Sequence, residues 1–296
     1  MSIIEKFASV EFVPDNRIPE SDRHYCEIQQ AAYDAARAGL QSLDKVWCEI
    51  VARQQDIYNG IAETVHDKLR YIAVAGLRHD CIMETLENTH QEFIDCLTRY
   101  FNEKYKVTLS TDQIKKALLP LHPDRFWHDT QAAKTYHENL RSLRIDYQSI
   151  LDQIFIQLEG RTFDERALSE LKETCHTAVW DSYNHKPKYI LKQDTIQFSY
   201  GCTYSKWFSN EHWQLTDSLK SVLRGVAYFE TGCFDCLPGA FPKLLGWGDL
   251  ESPLYEFPSC RKIQRLKLFK NNRTDIKFAS KAFASQFVSE YLGTIC

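Results

Sequence analysis

The residue periodicity of this chain changes once, at Pro187, and that change limits the folds available to it. Before Pro187, apolar residues recur every three or four positions over long stretches, which is typical of amphipathic helices. After it, the segment 189–200 alternates and is rich in Ile, Phe and Tyr, as strands are. We therefore predict an α+β fold that is mostly α, with a long-helix domain over 1–185 and a small α+β domain over 186–296.

Long helical runs cover most of the segment 21–104. Thr130 is placed to cap a helix over 131–158, and Ser209 is placed to cap a later helix. The apolar stripe of the first run, over 21–60, is predicted to contain Tyr25, Ile28, Ala32, Ala36, Leu40, Leu43, Trp47, Ile50 and Val51.

Length and composition support two domains, because 296 residues exceed the usual size of a single core. No apolar run is long enough for a signal peptide or a membrane span, so we expect a soluble cytoplasmic protein. Ten cysteines without a secretory signal are expected to be reduced thiols.

The charge of the chain is concentrated near its carboxyl end. Between 261 and 281 eight residues are basic and only Asp275 is acidic, a net +7 in a chain whose total is −4. Such asymmetry predicts a surface that meets an anionic partner. The strand-like segments 263–270 and 274–279 flank two asparagines, which tolerate positive φ, so a hairpin with a following helix is predicted.

Alternation along this hairpin places leucines on one face and cations, together with Phe269, on the other. Lys and Arg bind phosphates with release of counterions, and a Phe ring can stack on a base, so nucleic acid or a nucleoprotein complex is the predicted partner. A solvated strand face, or a surface for an acidic protein, would use the same residues. The candidate binding residues are Arg261, Lys262, Arg265, Lys267, Phe269, Lys270, Arg273, Lys277 and Lys281.

The segment LKLFKNNRTDIKF and the helix after it resemble the C-terminal signature of the bacterial domain-of-unknown-function family 4942. The runs SYNHKPKYILKQDTIQF and SLKSVLRGVAYFETG resemble the preceding strand and helix of that family, so the resemblance covers roughly 160–293. It implies a phage or mobile-element setting and a role on nucleic acid, and it assigns no catalytic residue. The residues that carry the C-terminal signature are Phe269, Lys270, Asn271 and Phe278.

The resulting hypothesis is a non-enzymatic accessory protein of a phage or mobile element that binds nucleic acid or a nucleoprotein complex through the hairpin. The first alternative is an inhibitor of a host defence nuclease, of the anti-CRISPR or anti-restriction type, acting by protein–protein contact. The second is a metal-dependent nuclease, since Asp275-Ile-Lys277 is similar to the acid-x-Lys element of such enzymes, although the preceding strand lacks a partner acid.

A cysteine pair, Cys233-Phe-Asp-Cys236, lies in a Gly- and Pro-rich region between Cys202 and Cys260. Four thiolates can hold a structural zinc ion tetrahedrally, so these four residues form a candidate zinc site. Buried reduced thiols are the alternative. A redox CxxC normally opens a helix after a strand, a setting that the Pro-Gly pair two residues later disfavours.

Two shorter motifs complete the candidates. The turn His122-Pro123-Asp124 resembles the tripeptide of J-domain co-chaperones, and a proline helix stop is the alternative. A carboxylate-bundle metal site needs a Glu-x-x-His motif on each of two facing helices, and this chain supplies the motif once, as Glu87-Asn-Thr-His90. We therefore interpret these residues as part of a solvated helix face.

Overall fold

The computed structural model describes residues 17–59, 79–121, 130–207 and 210–293, so the predicted His122-Pro123-Asp124 turn lies outside the described residues. Two compact units are present. The first contains the chain up to Lys104 and Leu109–Gly160, and the second contains Tyr105–Thr108 and the chain from Arg161 onward. The predicted α+β class, mostly α, is confirmed.

The first unit is helical. Ser110 caps its third helix through a hydrogen bond from the Gln113 N–H. The single helix predicted over 131–158 is wrong: Asp146 accepts a hydrogen bond from the Gln148 N–H and starts a separate helix. The helices are α1 Glu20–Asn59, α2 His79–Tyr105, α3 Thr111–Leu118, α4 Thr130–Ser142 and α5 Tyr147–Leu158.

The buried face of α1 is largely polar, which corrects the predicted apolar stripe. Ile28 and Leu43 from that stripe are 52% and 41% exposed. The residues that α1 buries instead are Asp22, Cys26, Gln30, Tyr33 and Asp44.

The break between α4 and α5 explains this polar face. Buried backbone groups that leave a helix need other hydrogen-bond partners. Gln30 Nε2 donates to the Ile145 carbonyl at 3.0 Å, and Arg37 Nε donates to the Leu143 carbonyl at 2.6 Å. The α1 side chains therefore satisfy the backbone of the linker 143–146, and apolar periodicity alone does not identify them.

The second unit begins with α6, Phe163–Val179, which opens with a capping box between Thr162 and Glu165. Because α6 packs against a later helix, Asp217–Thr231, the domain boundary predicted near 185 lies before Arg161. The remaining elements are β1 Trp180–Asp181, β2 Lys186–Pro187, β3 Tyr189–Lys192, β4 Thr195–Phe198, β5 Cys202–Trp207, β6 Asn210–Leu215, α7 Asp217–Thr231, α8 Phe241–Leu245, β7 Leu254–Glu256, β8 Ile263–Leu268, β9 Thr274–Phe278 and α9 Lys281–Phe287, which continues as a π-helical turn Val288–Leu292.

The strand that precedes α7 was not expected from the sequence. Ser209, the predicted cap, lies outside the described residues, but the residues after it do not form the predicted helix: β6 begins at Asn210, runs to Leu215 and pairs with β5. Thr216 is the actual cap, since its side chain accepts from the Leu219 N–H at 3.3 Å. Among the described residues, no helix combines the length and the apolar character needed to cross a membrane.

A five-stranded antiparallel sheet with the order β3-β4-β9-β8-β7 forms the centre of the second unit. Helix α9 packs on β4 and β9. Residues that alternate along the strands, such as Ile196, Leu266 and Ile276, are fully or almost fully buried in the core on that side. The other side of the sheet carries half-buried and exposed polar side chains.

Candidate nucleic-acid interface

The predicted hairpin is present, with β8 and β9 paired antiparallel. Leu266 lies opposite Ile276, and Leu268 lies opposite Thr274. Asn272 adopts a φ of 68°, as expected of a turn asparagine. The turn is closed by a hydrogen bond from the Phe269 N–H to the Arg273 carbonyl, 3.0 Å long.

The two faces of the hairpin differ as the alternation predicts. Leu266 and Leu268 are buried by 98% or more, because they face the core. Arg265 and Lys267 are exposed on the opposite face, where Lys277 of β9 is half-buried beside them. Arg265 lies directly opposite Lys277 in the β8–β9 register.

The predicted binding residues do not lie together on this face. Arg265, Lys267 and Lys277 share it, whereas Lys270 and Arg273 flank the turn at one end of the hairpin. The remaining cations lie at the opposite, open end of the hairpin: Arg261, Lys262 and Lys281. The net charge of +7 is therefore spread over three locations, which the linear sequence does not reveal.

Three of the cations are paired with acids of the second unit. Arg273 Nε lies 3.1 Å from Asp275 Oδ1, and Lys277 Nζ lies 3.6 Å from Asp194 Oδ2. Because each of these cations is already paired with a carboxylate, it attracts a further anion less strongly.

The third pair, between Lys270 and Glu211, shows its electrostatic effect in both partners. The Lys270 ammonium lowers the pKa of the Glu211 carboxyl, and Glu211 raises the pKa of Lys270. Lys262 is engaged differently, since its ammonium donates to the Phe229 carbonyl and lies 4.3 Å from the centre of the Phe229 ring.

Arg265 and Lys267 remain available. Both are exposed, and within the described residues neither takes part in an ion pair. Across the sheet, Lys192 of β3 is also exposed and has no ion pair in the same part of the chain. The sequence analysis missed Lys192 as a binding residue, although the alternation of its strand places it on the solvent face.

Neighbouring strands complete a concave surface around these cations. Thr195 of β4 lies opposite both Lys192 and Lys277, and Gln197 lies opposite Asp275. The concavity has a volume of about 440 Å³. Its lining residues are Lys192, Gln193, Asp194, Thr195, Gln197, Arg265, Lys267, Asp275 and Lys277.

Phe269 is not a free stacking surface, which corrects its predicted role. The Arg273 guanidinium lies over its ring, 3.9 Å from the ring centre, and the Lys267 ammonium lies 5.0 Å from it. These cation–π contacts already use the ring. A base would have to displace Arg273 before it could stack on Phe269.

The four predicted zinc ligands are not brought together. Cys202 is 1% exposed, and its thiol lies 3.7 Å from the Phe269 and Arg273 carbonyls as a hydrogen-bond donor. Cys260 is half-buried against the core. Cys233 and Cys236 do lie side by side, but the described residues contain no group of three or more His, Cys, Asp and Glu that could hold a metal ion.

Both charged residues of the predicted nuclease motif, Asp275 and Lys277, are bound by polar neighbours. Asp275 Oδ2 accepts a hydrogen bond from Gln197 Nε2 at 3.2 Å, and Arg273 pairs with the same carboxylate. Lys277 of the motif pairs with Asp194. This arrangement keeps the Asp275 carboxylate fixed among cations and an amide.

His90 is also placed differently from the prediction, because it is buried and does not belong to a solvated helix face. Its Nε2 lies 3.1 Å from the Leu140 carbonyl, which only accepts, so Nε2 carries the proton. Nδ1 then accepts from the Tyr33 hydroxyl at 2.8 Å. Burial lowers the pKa of His90, which keeps the ring neutral in this polar core site.

No family model, curated protein or solved structure matches this chain. The resemblance to family 4942 therefore stays a prediction that rests on the motifs quoted above.

Proposed function

We propose that the second unit binds nucleic acid through the solvent face of its five-stranded sheet. Lys192, Arg265 and Lys267 would contact phosphates there. The observation that supports this proposal is that all three cations are exposed, line one concavity and have no ion pair within the described ranges.

The spacing of the strands suits a chain of phosphates. Lys192 and Arg265 are on strands separated by β4 and β9. With neighbouring strands about 4.8 Å apart, the two side chains originate roughly 14 Å from each other. A nucleic-acid backbone that crosses the strands would meet one cation after another, and Thr195 and Gln197 would add hydrogen bonds between them.

The acids on the same face limit the strength of binding. Asp194 and Asp275 line the same concavity as the three free cations, and Glu256 lies opposite Arg265. Only a few phosphates would be neutralised, so for duplex DNA we expect a slope of log K against log salt of about −3. Binding of this kind is electrostatic, independent of sequence and weak at physiological salt.

The wider role is part of the same proposal. We propose a non-enzymatic accessory protein of a phage or mobile element, acting on nucleic acid or on a nucleoprotein complex. Its mobile-element setting is supported by the resemblance to family 4942, and its binding role by the free cations of the sheet face.

The test compares two charge-reversal variants of equal net charge. Arg265→Glu with Lys267→Glu changes the sheet face, and Arg261→Glu with Lys281→Glu changes two exposed cations at the open end of the hairpin. Binding of a fluorescent 20-nucleotide single strand and of the matching duplex is measured by anisotropy between about 50 and 200 mM salt, where phosphate contacts weaken steeply.

We expect the sheet-face variant to lose about tenfold or more in affinity and to show a shallower salt slope. The open-end variant should lose about twofold or less, since its effect is limited to the long-range field. Equal losses in the two variants, or wild-type binding that does not respond to salt, would show that this face does not bind phosphates.

A further inference from the structure

A pair of cysteines in the second unit lies outside the interface described above. Helix α7 ends at Gly232, which adopts the left-handed conformation with a φ of 70°. The next residue is Cys233, and the loop continues through Phe234 and Asp235 to Cys236. Cys236 is exposed and Cys233 is partly exposed, so reagents in solution reach both thiols.

The loop brings the two sulfur atoms into contact. Cys236 Sγ lies 2.7 Å from Cys233 Sγ, so little movement is needed for the two sulfurs to bond. Thr231 joins the loop to the helix: its hydroxyl oxygen accepts from the Cys233 N–H at 3.2 Å, and its proton is donated to the Ala227 carbonyl at 2.9 Å. Asp235, in the middle of the loop, forms an exposed ion pair with Lys106 at 3.3 Å.

These thiols differ chemically from the buried cysteines. Burial raises the pKa of Cys26 and of Cys175 to about 12, so those sulfurs stay protonated and unreactive. The pKa of Cys233 is lowered instead, first by the hydrogen bond from the Cys236 thiol and then by the Asp235 backbone N–H. The thiolate is the nucleophile in disulfide chemistry, so Cys233 is the better attacking group.

We propose that Cys233 and Cys236 form a thiol–disulfide exchange site whose reaction partner is a small-molecule disulfide. The Cys233 thiolate attacks one sulfur of glutathione disulfide, forms a mixed disulfide and releases one glutathione thiolate. The Cys236 thiolate then attacks Cys233 Sγ and releases the second glutathione. In total two S–H bonds are lost, one protein S–S bond forms, and two electrons and two protons reduce glutathione disulfide to two glutathione molecules.

The position of the pair distinguishes it from a motif that opens a helix. Cys233 follows the C-terminal end of α7, where the helix dipole does not stabilise a thiolate. Hydrogen bonds within the loop replace that stabilisation. Because the reduced form gains nothing from the dipole, we expect the disulfide to persist once it has formed.

The reaction would also fix one wall of a neighbouring cleft. Phe234 lies between the two cysteines, and its ring centre lies 4.5 Å from that of Tyr228. Both rings, with Leu237, line a cleft of about 480 Å³ in the second unit. A covalent link between Cys233 and Cys236 would restrict the loop that carries Phe234.

The experiment uses the full chain, reduced and freed of reductant, then exposed to glutathione disulfide and quenched with N-ethylmaleimide. Trypsin releases the peptide 225–243, in which Cys233 and Cys236 are the only cysteines, and the peptide 46–53, which contains Cys48 alone. We expect peptide 225–243 to lose two hydrogens and to carry no maleimide. Dithiothreitol added before the quench should restore two maleimide-reactive thiols.

The Cys48 peptide is the internal standard, because Cys48 is exposed on α1 and should carry maleimide or one glutathione. The variant Cys236→Ser should trap one glutathione on Cys233, since the resolving thiol is missing. The proposal is overturned if peptide 225–243 carries two maleimides under conditions in which Cys48 carries glutathione. It is also overturned if the peptide keeps two glutathiones.

Discussion

The two units use polar side chains in opposite ways. Among the described residues, the first unit buries five polar side chains, namely Asp22, Gln30, Asp44, His90 and Thr98, whereas the second unit buries one, Thr274. In the first unit the buried polar groups bind other groups of the same unit: Gln30 donates to the Ile145 carbonyl between α4 and α5, whereas Asp22 accepts from the Tyr100 hydroxyl. The second unit buries aromatic and aliphatic side chains and leaves its charges on the surface.

This difference decides which charged residues are free for function. Asp44 of the first unit accepts from Arg141 Nε at 2.7 Å, and Asp34 accepts from Arg144 Nη2 at 2.9 Å, so these groups serve the fold. Arg265 and Lys267 of the second unit lie on a solvated face with no such partner among the described residues. Binding residues are therefore better sought where charge is unpaired than where charged residues are most frequent.

The largest expected effect comes from the aromatic core of the second unit. Phe287 is fully buried, and its ring centre lies 5.5 Å from that of Phe229 and 4.9 Å from that of Tyr291. Phe287→Ala should lower the free energy of unfolding of this unit by about 3–5 kcal/mol, because it removes burial and leaves a cavity. Urea unfolding, with hydrogen exchange in α7 as the local probe, measures the loss.

Phe283 is the matched control for that variant, since it lies on the same helix and is only half-buried. Phe283→Ala should cost clearly less. A similar loss in both variants would mean that helix formation, and not the aromatic core, stabilises the second unit.

A smaller loss is expected in the polar core of the first unit. The Tyr33 hydroxyl donates to His90 Nδ1 at 2.8 Å and accepts from the Ile145 N–H at 3.1 Å. Tyr33→Phe leaves both groups buried without this partner, so we expect a loss of about 1–3 kcal/mol in the free energy of unfolding. Tyr183→Phe, at a site that is 91% exposed, is the control and should change it little.

The pH dependence of the first unit sharpens the comparison further. Burial lowers the folded-state pKa of His90 below its ordinary value of 6.5, so the unfolded state binds the proton more tightly. The contribution of neutral His90 to the free energy of unfolding is therefore present in full above about pH 6.5. It is lost as the pH falls from there through the folded-state pKa, by up to about 1.4 kcal/mol per pH unit. His90→Gln should flatten the curve of unfolding free energy against pH, and an unchanged slope would contradict the assignment.

The smallest expected effect is a difference in nucleic-acid affinity between variants of an unpaired and of a paired cation in the second unit. Lys267→Ala should weaken nucleic-acid binding several-fold, whereas Lys270→Ala should weaken it by about twofold or less because Lys270 is paired with Glu211. Anisotropy titrations at one fixed salt concentration compare the two single variants. A larger loss for Lys270 would place the binding site at the turn and not on the sheet face.

Much of the local structure was predictable from local chemistry. The hairpin follows from strand alternation and from asparagines in the turn, and Asn272 adopts the expected positive φ. Ser280 caps the last helix through the Phe283 N–H, as a serine before a helical run predicts. These features depend on residues that are close in sequence, so one sequence is enough to identify them.

Residues close in space but distant in sequence were not predictable. Lys192 precedes Arg265 by more than seventy positions, yet strand order places both on one concave face. The polar face of α1 could not be identified either, because its partner is the backbone between α4 and α5. Apolar periodicity reports average burial and carries no information about which backbone groups lack partners.

The sequence by itself determined the class of the fold, the hairpin with its turn, and the alternation that puts leucines inside and cations outside. Each of these depends on the conformations of neighbouring residues and on the period of a helix or strand. Only the tertiary structure decided which cations are free, since Asp194 reaches Lys277 from the β3–β4 turn and Glu211 reaches Lys270 from β6. The reason is electrostatic: a charge is available to a ligand only if the fold places no opposite charge beside it.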